Sequence, residues 1–534
     1  MNVLKHDHNH NRDIPPSSED PSSVTIDAEK ALAHEADKVN TGRLLRRIDF
    51  KLVPILSALY LLCFLCRQNI ANAKTYHMLD GLSLSQSDYQ MALTVFFFTY
   101  SLFDVPANIA LKKLRPSVWL PMITMLSGIV TMCMGFTQSA GSLIATRVIL
   151  GMTECGLFPG VAYVLTLWYK KSETQFRQAL FFCAASMAGA FAGLLAVGLS
   201  KMDGLGDLEG FRWIFIIEGL LTVVVAVLAF FLVLDTPASS NFLSAPEKAA
   251  LLRRLEEDEF GSNDSGIILT KEEQAQIHSR IPKAKIFKSV FSDWRILAHI
   301  LVFYGISVPL YSISLCLPSI VQTLGYTATN ANFLTVPIYI TACILSLFLA
   351  FWCDRKNIRF FPLIACFFVM ALGFLLALVR PDSTPGLAYA GVFIAACGIY
   401  PGFPGMITYF SNNIASAGKR SIAMALHIGF GSFGGAMGPN FYRAKDSPQY
   451  RLGHALNLAF VVMGGCAATV LYWSYVRANK RREEKRRRLL ERLEEECKEL
   501  GDAEEIEKRR RFEVEKEENL AHEGDRSVWF VYTV

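Results

Sequence analysis

The sequence predicts an all-α membrane protein of twelve transmembrane helices in two pseudo-symmetric six-helix halves, with both termini cytoplasmic. Three observations predict it. First, 52% of residues are hydrophobic and 19% charged, and the mean hydropathy is +0.30, whereas a soluble chain is nearer a quarter charged. Second, the apolar residues arrive in blocks of about twenty, the length that crosses a bilayer. Third, Cys155-Gly156-Leu157-Phe158-Pro159-Gly160 returns, 242 positions later, as Cys397-Gly398-Ile399-Tyr400-Pro401-Gly402.

Taken in order, residues 1–47 read as a polar, disordered tail with no cleavable signal expected. The N-terminal half, 48–234, holds spans near 50–72, 88–110, 119–138, 142–168, 177–200 and 212–234. A mixed-charge central loop, 235–295, contains a capping box, Ser244 with Glu247, and an Asn263-Asp264-Ser265 triplet that a cytoplasmic loop would leave unmodified. The C-terminal half, 296–477, holds spans near 296–322, 331–353, 360–380, 387–411, 420–441 and 454–477. From 478 to 534 the chain alternates Arg/Lys with Glu, the pattern of a solvated helix.

Lys and Arg set the orientation. They cluster at Arg43–Lys51, Lys112–Arg115, Lys170–Arg177, Arg355–Arg359, Lys419–Arg420 and from Lys480 onward. Only the loop with Arg443, Lys445 and Arg451 goes against the bias. Trp119, Trp168, Trp213, Trp352 and Trp473 fall near span ends, as an aromatic belt would place them. The net charge of +5 comes from these segments and does not argue for nucleic acid. The twelve cysteines mostly sit inside spans as small hydrophobes, so Cys63 and Cys66 read as packing rather than as a metal or redox pair. Alternating His6, His8 and His10 lie in the polar tail and read as solvated.

The repeat falls in spans 4 and 10, equivalent places in two halves. Duplicated halves build many secondary transporters, with the substrate site between them near the midplane. Pro159, Gly160, Pro401 and Gly402 free backbone groups that neighbouring helices must satisfy, and they are read as gating or structural residues. Small-residue stripes, Ala184/Ala188/Ala192 with Gly189/Gly193 and Gly431/Gly435 with Gly434/Gly438, allow close helix packing.

Function is expected where the symmetry breaks. Glu154 stands where the second copy has Ala396, and Arg147 where it has Tyr389. At 1.5 Å per residue Glu154 lies ~18 Å into its span, where a charge costs at least ~2.5 kcal/mol and burial favours the neutral acid. It is therefore a candidate proton carrier, or else one half of a static ion pair with Arg147 or Arg67. Arg67, followed by Gln68, Asn69 and Asn72, suits a carboxylate through its planar fork, unless it snorkels to the surface. Arg147, Tyr304, Tyr311, Asn412, Asn413 and His427 are further polar candidates for the substrate site. Glu218, six residues after Arg212, is either paired with it or part of a gate.

Three segments carry a resemblance, to the anion:cation symporter family of the major facilitator superfamily, which implies the MFS fold. They are Arg67-Gln68-Asn69-Ile70-Ala71-Asn72-Ala73, Arg147 through Gly160, and Arg212-Trp213-Ile214-Phe215 with Glu218-Gly219. Within that family the chain resembles the fungal allantoate permease group. Its Asn440-to-His454 stretch is similar to the high-affinity nicotinate permease branch. The resemblance implies alternating access, the plasma membrane and proton-driven import of a small organic anion; a lipid-embedded monomer is expected. It implies that Arg67 meets the carboxylate and Glu154 carries the proton. Asp354-Arg355 with Arg359 resembles the superfamily's loop motif between helices 8 and 9. One departure stands out: the family usually has an acid before the helix-1 arginine, and here it is Cys66.

The competing expectations are an exporter of a secondary metabolite, an importer of another acid such as allantoate, pantothenate or tartrate, and a nutrient receptor. The proline-free stretch Ala184–Gly198 argues against export. No phosphate loop, metal cluster or nucleophile–base pair is evident, so no cofactor and no enzyme activity are expected.

Overall fold

The computed structural model describes Glu35 and residues 38–170, 173–260, 283–356, 358–381, 384–415, 417–498 and 502–533. The His6/His8/His10 run and the Asn263 triplet lie outside the described residues. Among those described there is helix and no strand.

The bundle begins with α1 (Thr41–Thr75), α2 (Gln86–Lys113), α3 (Pro116–Met134), α4 (Ala140–Trp168), α5 (Thr174–Leu199) and α6 (Gly210–Leu232). After the central segment come α7 (Trp294–Thr323), α8 (Ala328–Lys356), α9 (Phe360–Val379), α10 (Pro385–Asn412), α11 (Ala417–Ser432) and α12 (Arg451–Cys497). Ten of the described helices are long and apolar enough to span a bilayer; α2 and α11 are the exceptions. α2 carries an uncharged, largely apolar run from Ala92 to Phe103 with Asp104 behind it. α11 is short because the chain breaks after Ser432 into two short turns, Gly434–Met437 and Gly438–Phe441, where glycine and Pro439 weaken a continuous helix.

Helix packing displays the duplication. In the first half α1 packs on α5 and α6, α3 on α6, and α2 on α4. In the second half α7 packs on α11 and α12, α9 on α12, and α8 on α10. The halves meet where α5 lies on α8 and α2 on α11, two seams that exchange when each helix number is shifted by six. The small-residue stripes make these seams. A Cβ added at Gly189 would lie 2.6 Å from the Tyr339 ring of α8, and one at Gly435 would lie 2.2 Å from the Phe97 ring of α2.

One end of the bundle carries the basic clusters; we call it the basic end. There Asp49 of α1 binds Arg177 of α5 with two hydrogen bonds, 2.7 and 3.0 Å. The second half repeats the arrangement with Asp293 before α7 and Lys419 of α11, 2.9 Å apart. Glu173 pairs with Arg254 of the central helix Ala245–Phe260, and Arg47 with Glu247 at 2.5 Å. The Ser244 capping box closes from one side, its N–H donating to Glu247 at 2.9 Å. Trp168 faces inward rather than lipid: it is buried and donates to the Asp235 carbonyl at 3.0 Å.

The C-terminal segment is not merely solvated helix. α12 runs on for 47 residues, turns, and returns as α13 (Asp502–Glu523). The chain then docks on the basic end of the second half. Tyr532 is 1% exposed and stacks on Tyr475 of α12 at 4.4 Å. Asn479 brackets its backbone, accepting from Tyr532 N at 3.0 Å and donating to Tyr532 O at 2.8 Å. Asn413 holds Thr533 in the same way, at 2.8 and 3.2 Å. Asp525 reaches Lys419 at 2.5 Å.

Candidate functional site

Arg67 sits about three-quarters of the way along α1 and is 4% exposed, so it does not snorkel. Its Nε and Nη2 donate to Oε2 of Glu154 at 3.1 and 3.0 Å. Its Nη1 donates to the Tyr311 hydroxyl of α7 at 3.1 Å. The guanidinium therefore ties α1 and α4 of one half to α7 of the other. Aromatic rings close around it: Tyr100 at 4.8 Å, Phe96 at 5.2 Å, Phe64 at 5.5 Å, and Phe97 and Tyr311 at 5.9 Å. Ring faces favour a cation, so this box holds the arginine even when an anion leaves. Among the described residues Oε1 of Glu154 has no hydrogen-bond partner.

The broken repeat places that carboxyl. α4 consists of two pieces, Ala140–Glu154 and Leu157–Trp168, and Glu154 ends the first. Its neighbours leave room only for hydrogen on several α carbons. A Cβ at Gly151 would lie 2.4 Å from the Phe96 carbonyl of α2, and one at Gly160 would lie 2.6 Å from Leu120 of α3. The second copy is unbroken, since α10 runs from Pro385 to Asn412 through Pro401. Gly398 and Gly402 there pack on Cys366 of α9. Ala396, in Glu154's place, is fully buried, and Tyr389, in Arg147's place, donates to the Leu334 carbonyl at 2.8 Å. One copy is a packing joint; the other carries the charge.

The other sequence candidates are dispersed. Arg147 shares Glu154's face but does not pair with it. It is 1% exposed and donates to the Arg67 carbonyl at 3.4 Å, so it supports α1 from behind. Asn69 turns toward Glu218 of α6 without closing a hydrogen bond. Asn72 is buried one turn farther along α1. Tyr304 is half-buried and two turns from Tyr311; Tyr311 reaches Arg67 and Tyr304 does not. Asn412 ends α10 at the basic end, remote from the midplane pair. His427 lies in an aromatic box of the second half, stacked on Phe410 at 4.1 Å with Phe303 at 4.8 Å. Neither of its ring nitrogens has a partner among the described residues.

Glu218 does not pair with Arg212. Arg212 holds Glu209 at 2.9 Å and the carbonyls of Gly135 and Thr137, while Glu218 is buried and neither of its oxygens is hydrogen-bonded among the described residues. Asp354 of α8 accepts from Arg359 at 2.6 Å and from the Phe176 N–H at 2.7 Å. It thus caps the start of α5 across the seam, where a carboxylate meets the positive end of the helix dipole. Arg355 beside it is exposed. Sequence reasoning missed Asp104 of α2, fully buried; the signal was there, an acid inside an apolar run.

The Major Facilitator Superfamily profile matches residues 56–439. The chain belongs to that superfamily. It is 34% identical over 459 residues to the MFS transporter prlL of Fungal sp. (strain NRRL 50135), covering 84% of this chain and 89% of that one. It is 32% identical to the MFS-type transporter cnsO of Penicillium expansum, with 82% and 84% covered. It is 28% identical to the high-affinity nicotinic acid transporter of Saccharomyces cerevisiae, with 86% and 81% covered. A bacterial homologue of the human lysosomal transporter Spinster, solved inward-facing and occupied, superposes with a TM-score of 0.56 at 14% identity. That match spans 80% of this chain and 97% of the other and speaks for the fold alone. This superfamily member is a multi-pass membrane transporter and not an enzyme.

Proposed function

We propose that the chain is a proton-coupled importer of a small organic carboxylate, nicotinate or a related heterocyclic acid, working by alternating access in the plasma membrane with its basic end in the cytoplasm. The observation that carries this reading is the arrangement around Arg67. One buried guanidinium serves an acid of its own half and a hydroxyl of the other half. A substrate carboxylate offers the same two oxygens that Glu154 offers, so the two compete for one fork. Protonating Glu154 neutralises the competitor and frees Arg67. Anion and proton then enter together, and neither needs to be left as an isolated charge in hydrocarbon. The name of the yeast relative supports nicotinate as the working substrate, and the resemblance around Arg67 supports the symporter family and its allantoate permease group.

The test is uptake of labelled nicotinate by cells lacking their own carrier, at pH 5 and pH 7, with unlabelled acids as competitors. Saturable uptake, faster at pH 5 and abolished by Glu154→Gln, is the expected result. Block by another acid without nicotinate uptake keeps the mechanism and moves the substrate. No uptake of any acid by protein shown at the cell surface refutes the importer reading and favours export.

A further inference from the structure

The mechanism above uses one buried acid, and the fold holds another between the halves. Asp104 of α2 is 0% exposed, and among the described residues neither of its oxygens has a hydrogen-bond partner. It faces the other half: a Cβ built on Gly429 of α11 would lie 3.5 Å from its Oδ2. Asp104 is one turn from Tyr100 on the same face of α2, and the Tyr100 ring carries the Arg67 guanidinium. Nine residues separate it from Lys113, the last of α2, about 13 Å along the axis. It therefore lies between the central pair and the basic end.

Its surroundings set its protonation. Among the described residues the titratable groups that interact with it are Tyr100 on its own helix, Cys155 on α4 and Tyr311 on α7, none of them a cation. Across the seam α11 presents Gly429 to the carboxyl, and among the described residues no ion pair reaches Asp104. An unpaired carboxylate sealed from water is costly, and such a group neutralises instead.

We propose that Asp104 is a second proton-binding site, occupied while α2 and α11 are closed on each other and emptied when they part. Its place in the transport cycle rests on the proton-coupled reading above. With the seam closed the acid is neutral; with it open, water reaches the carboxyl and it ionises. Closure takes up a proton, so acid favours the closed seam and rising pH favours opening. One linked proton changes the open-to-closed ratio by at most about tenfold per pH unit.

The test uses the full chain in nanodiscs with exposed Cys133 and Cys466 changed to serine. Spin labels on cysteines placed at Leu114 and Ala415 report the distance across the basic end as pH is varied, without substrate. In the parent protein the longer distance is expected to gain population as pH rises. Asp104→Asn is expected to stay closed throughout and to lose one protonated-carboxyl infrared band. A parent-like pH profile in Asp104→Asn, with every acid band retained, overturns the proposal. If Asp104→Asn fails to fold, Asp104→Glu must keep the pH dependence with a moved midpoint, and loss of it is equally fatal. The coupling reading is separated by nicotinate-driven proton influx in proteoliposomes. Influx surviving in Glu154→Gln refutes that reading, while the spin-label result, needing no substrate, still judges Asp104.

Discussion

Glu154→Gln separates competition from static pairing. The two side chains are 5% and 0% exposed, with N and O 3.0 Å apart. Unit charges about 4 Å apart attract by about 4 kcal/mol at an effective dielectric of 20. A substrate anion must displace this attraction in the parent protein at any pH where Glu154 is ionised. The amide keeps the shape and removes the charge. If half of the attraction is recovered, about 2 kcal/mol, carboxylate affinity rises about thirtyfold. The ligand-free variant pays differently: Arg67 is left buried without its counter-charge, which costs about 3–5 kcal/mol. The expected pattern is an empty protein that melts earlier, regains stability on adding nicotinate, binds it more tightly at neutral pH, and does not accumulate it. The parent's affinity should rise toward the variant's as pH falls, because protonating Glu154 releases Arg67; the variant's affinity should be flat. Thermal unfolding and equilibrium binding in detergent, from pH 5 to pH 8, measure both. A variant that binds more weakly than the parent with an unchanged pH slope would refute the competition argument.

Other predictions follow the same geometry. Tyr311→Phe removes a hydrogen bond to a charged donor, worth about 1.5–3 kcal/mol, and should weaken carboxylate binding at least tenfold while leaving its pH dependence; unchanged affinity at two pH values would count against a role for the second half in holding Arg67. Gly435→Ala places a Cβ 2.2 Å from the Phe97 ring, an overpacking that costs about 1–3 kcal/mol, so thermal stability and uptake should fall together. Cys66→Asp restores an acid where the thiol now lies 3.5 Å from Thr222; proton stoichiometry should rise, and an unchanged stoichiometry and pH profile would sink the idea that Glu154 works without it. Lys419→Met strands Asp293 and Asp525. Burial holds the Asp525 carboxyl of the docked tail above its ordinary range, while Lys419 outweighs burial at Asp293 and holds that group below its own, so the two carboxyls act on docking with opposite sign as pH changes. Hydrogen exchange at Asp525–Thr533 should be slow at neutral pH in the parent and fast in Lys419→Met.

The duplicated helices were legible because hydropathy, span length and the CGLFPG/CGIYPG pair are local signals. Arg67 and Glu154 were legible because a charge in an apolar run is conspicuous. Who pairs with whom was not. Helix-face arithmetic allowed Arg147 as Glu154's partner, and only the placement of α1 against α4 decides for Arg67. Tyr304 and Tyr311 lie two turns apart on one face of α7; choosing between them needs the axial register of the two halves, which no local pattern encodes. Asn412 and His427 were picked as polar residues in spans, but depth along the helix puts Asn412 at the basic end and packing puts His427 among rings. Glu218 was matched to Arg212 by spacing, whereas Arg212 has nearer acceptors in the turn after α3. The last segment was read from its charge alternation, and the apolar close, Trp529-Phe530-Val531-Tyr532, went unweighed although it is what docks.

α12 also has a mechanical meaning. From Arg477 to Cys497 it continues without a break, an arm of about 30 Å at 1.5 Å per residue. α13 braces it: Lys508 grips Glu496 at 2.7 Å, and the docked Tyr532 pins its base. A stiff arm fixed to one half must swing when that half rocks. A rotation of about 15°, the size known from subunit movements, would carry its tip about 8 Å. In a half that rocks as the proposed alternating access requires, the arm would act as a lever, turning a small tilt inside the bilayer into a larger displacement in the aqueous phase.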